Sequence, residues 1–467
     1  MLLINRKKRN KKFNKIKIMS SSIDLPHKDK NFVEKIEKLF NQEITNITDL
    51  NKIFFQGKTR FFDIIDKNYK REGEEFVKIF SNLRDLILNI ENILIKPEIP
   101  LLKTGTPKTN LKLTRKEVAL LFILSFFNLI NLNQKNLNST NLFSVYEVLF
   151  FPYGSSLEFG RCFLNYLTII GTWLSENNPI LDEKIVYIRG SINFDDEIFK
   201  KETKLCDIKI YPEGSLFDGN DSYFVDFANM YIGGGVLNGG NVQEEILFAV
   251  QPEAIVSMLF MEVMNDNDAI RIDNTIVYSK YSGYGGRFKF SESAINLNDL
   301  NSIKRNKFIA IDASALYKYG KYEFGNEYIS KEMINRDIHK AFVGFNLINF
   351  YQKGKDATCE KISEDTQNNE EQKKDKKNID EKSIATGNWG CGIFGGDHEL
   401  KFFQQWIAAS FAGVERLDYF SFGAKQMMQL FIKLDEIKQK YINANKLYED
   451  LINKQLIEGE ILNILLN

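Results

Sequence analysis

The chain has 467 residues, 43% of them hydrophobic, with 38 Phe and 19 Tyr, enough for a sizeable core in two or three domains or in one large domain with an added layer. Lys plus Arg and Asp plus Glu total 62 each, which excludes a surface that coats polyanions generally and confines any polyphosphate to a local site. Four scattered cysteines (Cys162, Cys206, Cys359, Cys391) form no CxxC pair, and no two of the three histidines (His27, His339, His398) share a metal-ligand spacing, which argues against a disulfide frame, a zinc centre and a Ser-His-Asp triad.

Residues 1–30 read as a disordered basic tail. Its Arg6-Lys-Lys-Arg9 cluster fits either a solvated tail or a nuclear-import patch. No apolar run long enough for a signal peptide follows it, and no stretch approaches the roughly 20 apolar residues of a membrane span. The expected compartment is therefore nucleus or cytoplasm, with neither secretion nor a membrane. From 31 to 200 the apolar spacing is mostly helical: Phe32 to Phe40, Phe76 to Ile87, the run from Glu117, and Gly160 to Leu174. This half reads as a helical accessory layer.

From about 184 short apolar runs appear: Ile185-Val-Tyr-Ile, Tyr223-Phe-Val-Asp-Phe, Ile276-Val-Tyr, Phe308-Ile-Ala-Ile-Asp, Phe342-Val-Gly-Phe and Tyr419-Phe-Ser-Phe. Helical patterns at 243–263 and 399–412 lie between them. Strands alternating with helices predict an α/β sheet covered on both faces. The polar, charged stretch at about 354–383 has almost nothing to bury and reads as a disordered insert.

The segment Gly233-Gly-Gly-Val-Leu-Asn-Gly-Gly-Asn-Val-Gln-Glu-Glu245 follows the strand at Tyr223. Consecutive glycines cost backbone entropy; their usual use is close approach of backbone N–H groups to an anion. Gln243, Glu244 and Glu245 then open a helix. The plain account of the two glutamates is favourable charge at the positive end of the helix dipole. The chemical account is that one carboxyl serves as general acid and then as base. Adjacent helical residues do not share a face, so the two cannot flank one bond as an ordinary glycosidase pair does.

A second glycine-rich loop, Asn388-Trp-Gly-Cys-Gly-Ile-Phe-Gly395, contains GxGxxG, a weak dinucleotide signal here because it follows a polar insert. Leading into a helix, it can hold a diphosphate on its amides or serve as a tight turn. Asp226 and Asn229 at a strand end can bind sugar hydroxyls or cap a turn. Tyr284, among glycines, and Phe422, at a strand end, can close on a flat base or simply pack.

Together these segments resemble the poly(ADP-ribose) glycohydrolase family, whose signature is three glycines, a short spacer and Gln-Glu-Glu. The resemblance runs in order from about 200 to 425 and takes in Val225-Asp-Phe-Ala-Asn229, Gln251-Pro-Glu-Ala-Ile-Val-Ser257, Tyr281-Ser-Gly-Tyr284, Ala310-Ile-Asp-Ala313, Lys340-Ala-Phe-Val-Gly-Phe345, Ala385-Thr-Gly-Asn-Trp-Gly-Cys-Gly392 and Tyr419-Phe-Ser-Phe-Gly423. The helical half resembles the family more loosely, through Cys162-Phe-Leu-Asn-Tyr166. The resemblance implies a macrodomain-like mixed sheet flanked by helices, as a core at 201–467 beside the helical region at 31–200. It implies hydrolysis of ribose–ribose bonds of poly(ADP-ribose) on modified proteins, with ADP-ribose as product and a role in the DNA damage response. By position Glu245 resembles the catalytic acid and Glu244 its companion on the ribose hydroxyls. Asp226 and Asn229 resemble residues that hold the site and the terminal ribose, and Gln243 one that orients it. Gly233, Gly234 and Gly235 resemble the ribose and phosphate loop. Asn388, Gly392, Ile393, Phe394 and Gly395 resemble the diphosphate loop, and Tyr284 and Phe422 the aromatic pair around adenine. Gly214-Ser-Leu-Phe217 lies about where the family places its adenine-edge contacts, with a poor match. No cofactor, no metal, no sequence-specific nucleic-acid binding and a monomer are expected. The rival reading is a macrodomain that binds ADP-ribose without cutting; such a reader needs the glycines and aromatics but not the glutamates.

Overall fold

The computed structural model describes residues 22–94, 98–130, 139–193, 195–216, 222–315, 329–349 and 382–467. Its strands are β1 (Ser22–Asp24), β2 (Glu98–Pro100), β3 (Lys108–Thr114), β4 (Lys184–Ser191), β5 (Asp207–Tyr211), β6 (Tyr223–Ala228), β7 (Asp268–Ile276), β8 (Ser279–Ser282), β9 (Lys289–Ser293), β10 (Arg305–Asp312), β11 (Ser383–Gly387) and β12 (Arg416–Phe420). Its first helices are α1 (Lys30–Phe40), α2 (Ile47–Phe55), α3 (Phe61–Asn68), α4 (Lys70–Leu88), α5 (Ile90–Ile93), α6 (Arg115–Phe126), α7 (Glu147–Phe150) and α8 (Ser155–Ser175). Within and after the sheet come α9 (Gln243–Val250), α10 (Lys331–Asn346), α11 (His398–Phe411), α12 (Met428–Ile432), α13 (Leu434–Lys440), α14 (Ala444–Asn453) and α15 (Ile461–Leu466).

Eight strands make one mixed sheet in the order β3-β4-β7-β10-β6-β11-β12-β5. From β10 to β5 the neighbours run parallel; β7, β4 and β3 are antiparallel to theirs. The central strands are buried on both faces, as parallel strands under helices must be. Along β10 the side chains alternate. Phe308 and Ala310 join the core shared with α6, α8 and α9, while Ile309 and Ile311 join the core under α10, α11 and α14. Gly344 of α10 sits so close that a Cβ there would meet Ile311 Cγ2 at 2.5 Å.

The helical layer is bonded to the sheet by buried polar groups. Arg115 of α6 pairs with Glu253, which also accepts from Tyr278 Oη at 2.5 Å and from the Ile276 amide at 3.0 Å. Asn165 of α8 donates to the Tyr278 carbonyl at 2.8 Å. The β8–β9 hairpin leans on α8 through Phe159 and Phe288, whose ring centres are 5.0 Å apart, and through the Phe290 amide bonded to Glu158. No helix among the described residues is long and apolar enough to cross a membrane.

Several expectations need correction. The tail reading of 1–30 fails at its end, since Ser22–Asp24 pairs with Glu98–Pro100 and α1 begins at Lys30; residues 1–21 lie outside the described residues. The mostly helical region 31–200 also supplies one flank of the sheet: β4 lies where the Ile185 run predicts a strand, and β3, Lys108–Thr114, was not expected. The run Phe342-Val-Gly-Phe345 is the end of α10, whose N-cap Ser330 accepts from the Met333 amide. The helix expected over 243–263 stops at Val250: Pro252 lacks an N–H, and Gln251 before it leaves the helical region at φ −126° and ψ 69°. The run at Ile276 marks only the end of β7. The stretch at 354–383 lies outside the described residues except Lys382 and Ser383, and Ser383 opens β11. That strand, Ser-Ile-Ala-Thr-Gly, is buried at every position but too short and too poor in large apolar residues to stand out. The second glycine loop therefore does follow a strand.

Candidate active site

The site lies where two parallel strands part. β11 pairs with β6 only at Tyr223 and Phe224. Beyond that point Gln243 takes the neighbour's place: its side chain accepts from the Phe227 amide at 2.8 Å and donates to the Val225 carbonyl at 3.2 Å. The crevice opens at the carboxyl ends of the strands, where ligands of open α/β sheets bind. It is a cavity of about 680 Å³, within the usual size for a small-molecule site.

Asp226, on β6, faces the same side as Phe224, toward α9, and is fully buried. Neither of its carboxyl oxygens has a hydrogen-bond partner among the described residues. Glu244 accepts from the Asn229 amide at 2.8 Å and the Gly233 amide at 2.7 Å. Glu245 accepts from the Gly235 amide at 2.9 Å and, reaching back to the start of its own helix, from the Val242 amide at 2.9 Å. The helix-start account of the glutamates is thus half realised, since Glu245 caps α9 while lining the cavity. Burial, reinforced by the charge of Glu245, raises the Asp226 carboxyl well above its ordinary range. Burial and then the charges of Asp226 and Glu245 raise Glu244 likewise, against the pull of its two amides.

The glycines make this packing possible. Gly234 has φ 49°, and a Cβ on it would stand 2.5 Å from Glu244 Oε2 and 2.5 Å from Glu245 Oε1; a Cβ on Gly240 would stand 2.8 Å from Glu245 Oε1. The expectation that Gly233 to Gly235 aim their amides at an anionic ligand needs revision: two of the three amides are bonded to the protein's own carboxylates. None of these three glycines lines the cavity, and neither does Asp226. Asn141, from the helical layer, clamps the loop from outside by donating to the carbonyls of Ile232 at 3.0 Å and Gly234 at 2.9 Å. Sequence reasoning missed Asn141, because a lone Asn in a connecting segment carries no periodic or motif signal.

Across the crevice, the loop after β11 turns back on itself, with Gly395 donating to Gly392 and Gly396 to Gly390. The amides of Gly392, Ile393 and Phe394 have no protein partner among the described residues, and all three residues line the cavity; Gly395 does not. The start of α11, expected to share in anion binding, is occupied by Asp397, which caps the Leu400 amide at 2.8 Å. Asn388 lines the cavity, yet its side chain ties β11 to β12, donating to the Ser421 carbonyl at 2.8 Å and accepting from Tyr419 Oη at 3.1 Å. Beneath the loop lies a buried ionic chain. Lys401 pairs with Asp337 and lies 4.7 Å from the Trp389 ring centre. Arg336 bridges Asp337 and Asp312, and Lys340 pairs with Asp312 at 2.8 Å. Asp312 and Lys340, which the resemblance brought in without a role, thus belong to the support of this loop.

Phe422 and Tyr284 line the cavity from its rim. Phe422 has φ 52°, a region costly for a bulky residue. It is held there by the Ser421 amide on the Tyr211 carbonyl and the Gly423 amide on the Pro212 carbonyl. The Tyr284 phenol is raised above its ordinary range by the part of it that is buried, against the pull of the Gln243 amide and with the charge of Glu245 adding. Asn229, Gln243, Gly214 and His398 also line the cavity; His398 had no place in the sequence reading, and Phe217 lies outside the described residues. Among the described residues no group of three or more His, Cys, Asp or Glu is placed to hold a metal ion.

Two family models match the chain: the macro domain fold of poly(ADP-ribose) glycohydrolase over residues 196–429 and the helical domain of the same enzyme over 68–189. The chain belongs to the poly(ADP-ribose) glycohydrolase family. A probable poly(ADP-ribose) glycohydrolase 2 of Arabidopsis thaliana is 28% identical over 445 residues, spanning 87% of this chain and 83% of the relative. Poly(ADP-ribose) glycohydrolase 1 of Caenorhabditis elegans is 35% identical over 287 residues, covering 57% of this chain and 33% of its own. A crystal structure of the Deinococcus radiodurans glycohydrolase with ADP-ribose aligns over 52% of this chain and 89% of that one, at 12% identity and a TM-score of 0.30. That structural likeness is too slight to carry weight; the macrodomain assignment rests on the family models and the sheet.

Two outcomes follow from the carboxyl cluster. Gly234→Ala forces a methyl group onto both glutamates at a strained φ, so activity falls at least about 100-fold, a general acid–base contribution, while the far-ultraviolet circular dichroism spectrum is unchanged. For Asp226 and Glu244 the folded carboxyl is raised, so the stability they confer is complete below the ordinary values of 3.8 and 4.5 and is lost as pH rises through the raised ones. Asp226→Asn, uncharged at every pH, should therefore gain on the parent in thermal melts as pH goes from about 5 to 8; a constant difference across that range contradicts the assignment.

Proposed function

We propose that the chain hydrolyses the ribose–ribose O-glycosidic bonds of poly(ADP-ribose) and releases ADP-ribose, with Glu245 as acid and then base. The observation that carries the reading is that Glu244 and Glu245 line the same crevice as a loop whose amides have no protein partner among the described residues and suit a diphosphate. In this reading the terminal ADP-ribose lies along the cavity. Its diphosphate meets the amides of Gly392 to Phe394, and its adenine lies at the rim with Phe422. Glu244, each of whose oxygens already accepts one backbone amide, meets the ribose hydroxyls, donating the proton it retains or accepting on a remaining lone pair. Asn229 and Gln243 hold the strand end against which that ribose sits.

Glu245 gives its proton to the glycosidic oxygen as the bond from the anomeric carbon breaks, and the electron pair leaves with that oxygen. The oxocarbenium-like ribose is stabilised by the carboxylate that Glu245 becomes on giving up its proton. Glu245, now ionised, takes a proton from water as the water oxygen bonds to the anomeric carbon, which returns the acid to its starting state. Asp226 acts from beneath, where its buried carboxyl bears on the charge that Glu244 and Glu245 share. The divided chain, with a helical accessory region to about residue 200 and a catalytic core after it, is part of this proposal, with β3 and β4 lent by the first part to the sheet of the second. So are its action on modified proteins in nucleus or cytoplasm, in response to DNA damage, as a monomer and without sequence-specific nucleic-acid contacts.

The competing reading, a macrodomain that binds ADP-ribose and does not cut, explains the amide loop and Phe422 and leaves the two buried glutamates only the structural task of holding the glycine loop and the start of α9. Glu245→Gln separates the two. It keeps ADP-ribose affinity within a few fold by calorimetry and lowers release of ADP-ribose from labelled polymer by at least about 1,000-fold, the upper part of the acid–base range. Cutting at the parent rate would remove Glu245 from the mechanism.

A further inference from the structure

Glu245 is joined to the helical layer by a short run of contacts. Val242 donates its amide to Glu245, and the residue before it, Asn241, donates from its side chain to Ser155 Oγ at 3.2 Å. Asn241 also borders the loop that bears Tyr284: a Cβ on Gly285 would lie 3.9 Å from Asn241 Oδ1. Ser155 opens α8. The residues just before it, Phe151-Pro152-Tyr153-Gly154, form a tight turn in which the Tyr153 amide bonds the Phe151 carbonyl at 2.8 Å and the Ser156 amide bonds the Tyr153 carbonyl at 3.2 Å, with Gly154 at φ 54°. This turn leaves Phe151 75% and Tyr153 63% exposed, and Pro152 buried between them. Single exposed apolar residues need no explanation. Two aromatic rings held in water by one braced turn, one hydrogen bond from the catalytic loop, do.

We propose that Phe151 and Tyr153 form a stacking platform for the adenine of the departing unit of the polymer. The proposal rests on the glycohydrolase reading above and adds a second subsite to it. The oxygen protonated by Glu245 belongs to the adenosine ribose of the next unit, so that unit's base emerges one sugar away from Glu245. Every unit carries the same purine, and an aromatic ring binds a base by its π-face without reading any edge. The platform therefore grips polymer and has nothing to hold on a substrate that ends at the reacting ribose. It lies on the helical layer and the acid on α9, so the Asn241–Ser155 bond sets the distance between them.

The test compares two substrates on the full chain: poly(ADP-ribose), and an aryl glycoside of ADP-ribose whose leaving group carries no adenosine. The double variant Phe151→Ala, Tyr153→Ala should lose about 10-fold in kcat/KM on polymer, mostly through KM, as loss of base stacking predicts, with the aryl glycoside cut within about twofold of the parent. Phe151→Trp with Tyr153→Phe, which keeps two rings, should restore the polymer value. Equal losses on both substrates, or none on polymer, would overturn the platform. A parent chain that cuts neither substrate would overturn the glycohydrolase reading itself, and the platform with it.

Discussion

Three carboxyl groups, Asp226, Glu244 and Glu245, are taken out of water together, and the architecture around them answers that cost. Burying an ionised carboxylate costs several kcal/mol even after relaxation, whereas a hydrogen bond to a charged group contributes about 1.5–3 kcal/mol. Glu244 and Glu245 each have two backbone amides; Asp226 has none among the described residues. The amides offset the charge of the glutamates only in part, and protons are held to higher pH at Asp226 and Glu244. The glycine loop exists in this form because any side chain at Gly234 would strike the oxygens it encloses.

The two halves of the chain depend on each other at this point. The loop over the carboxylates is shaped from below by α9 and from outside by Asn141 and Ser155, both in the helical layer. The layer is fastened to the sheet by the buried Arg115–Glu253 pair and by Asn165. On the other side of the crevice the ionic chain from Lys401 through Asp337, Arg336 and Asp312 to Lys340 holds the second loop from beneath. Removing one member of such a buried chain leaves a charge unpaired, so the loop is fixed before a ligand arrives.

The central strands β6 and β10 were legible because their apolar runs are long, and α11 because its periodicity is clear. Several residues that line the crevice, among them Gln243, Glu244, Glu245 and Gly392 to Phe394, stand out in the sequence because they fall in glycine-marked motifs. Other features were hidden for physical reasons. β11 has small side chains and β3 mixes Lys, Asn and Thr on the flank of the sheet, so neither shows a strand pattern. The run Phe342–Phe345 reads alike as strand or as buried helix, and only its packing under β10 decides. Nothing in the spelling of Gly233 to Gly235 tells whether their amides serve a ligand or the protein's own glutamates; that is a property of how the loop closes on α9. Asn141 lies 103 positions before Glu244, 244 minus 141, and acts only on backbone carbonyls, so its residue type alone carries no message.

The buried glutamates either cut the polymer or only hold it. Purified full-length chain, incubated with labelled poly(ADP-ribose), should release free ADP-ribose in catalytic excess over enzyme, as followed by chromatography of the products. Tight binding of the polymer with no ADP-ribose released would contradict the proposed cleavage and make the crevice a reader of ADP-ribose instead.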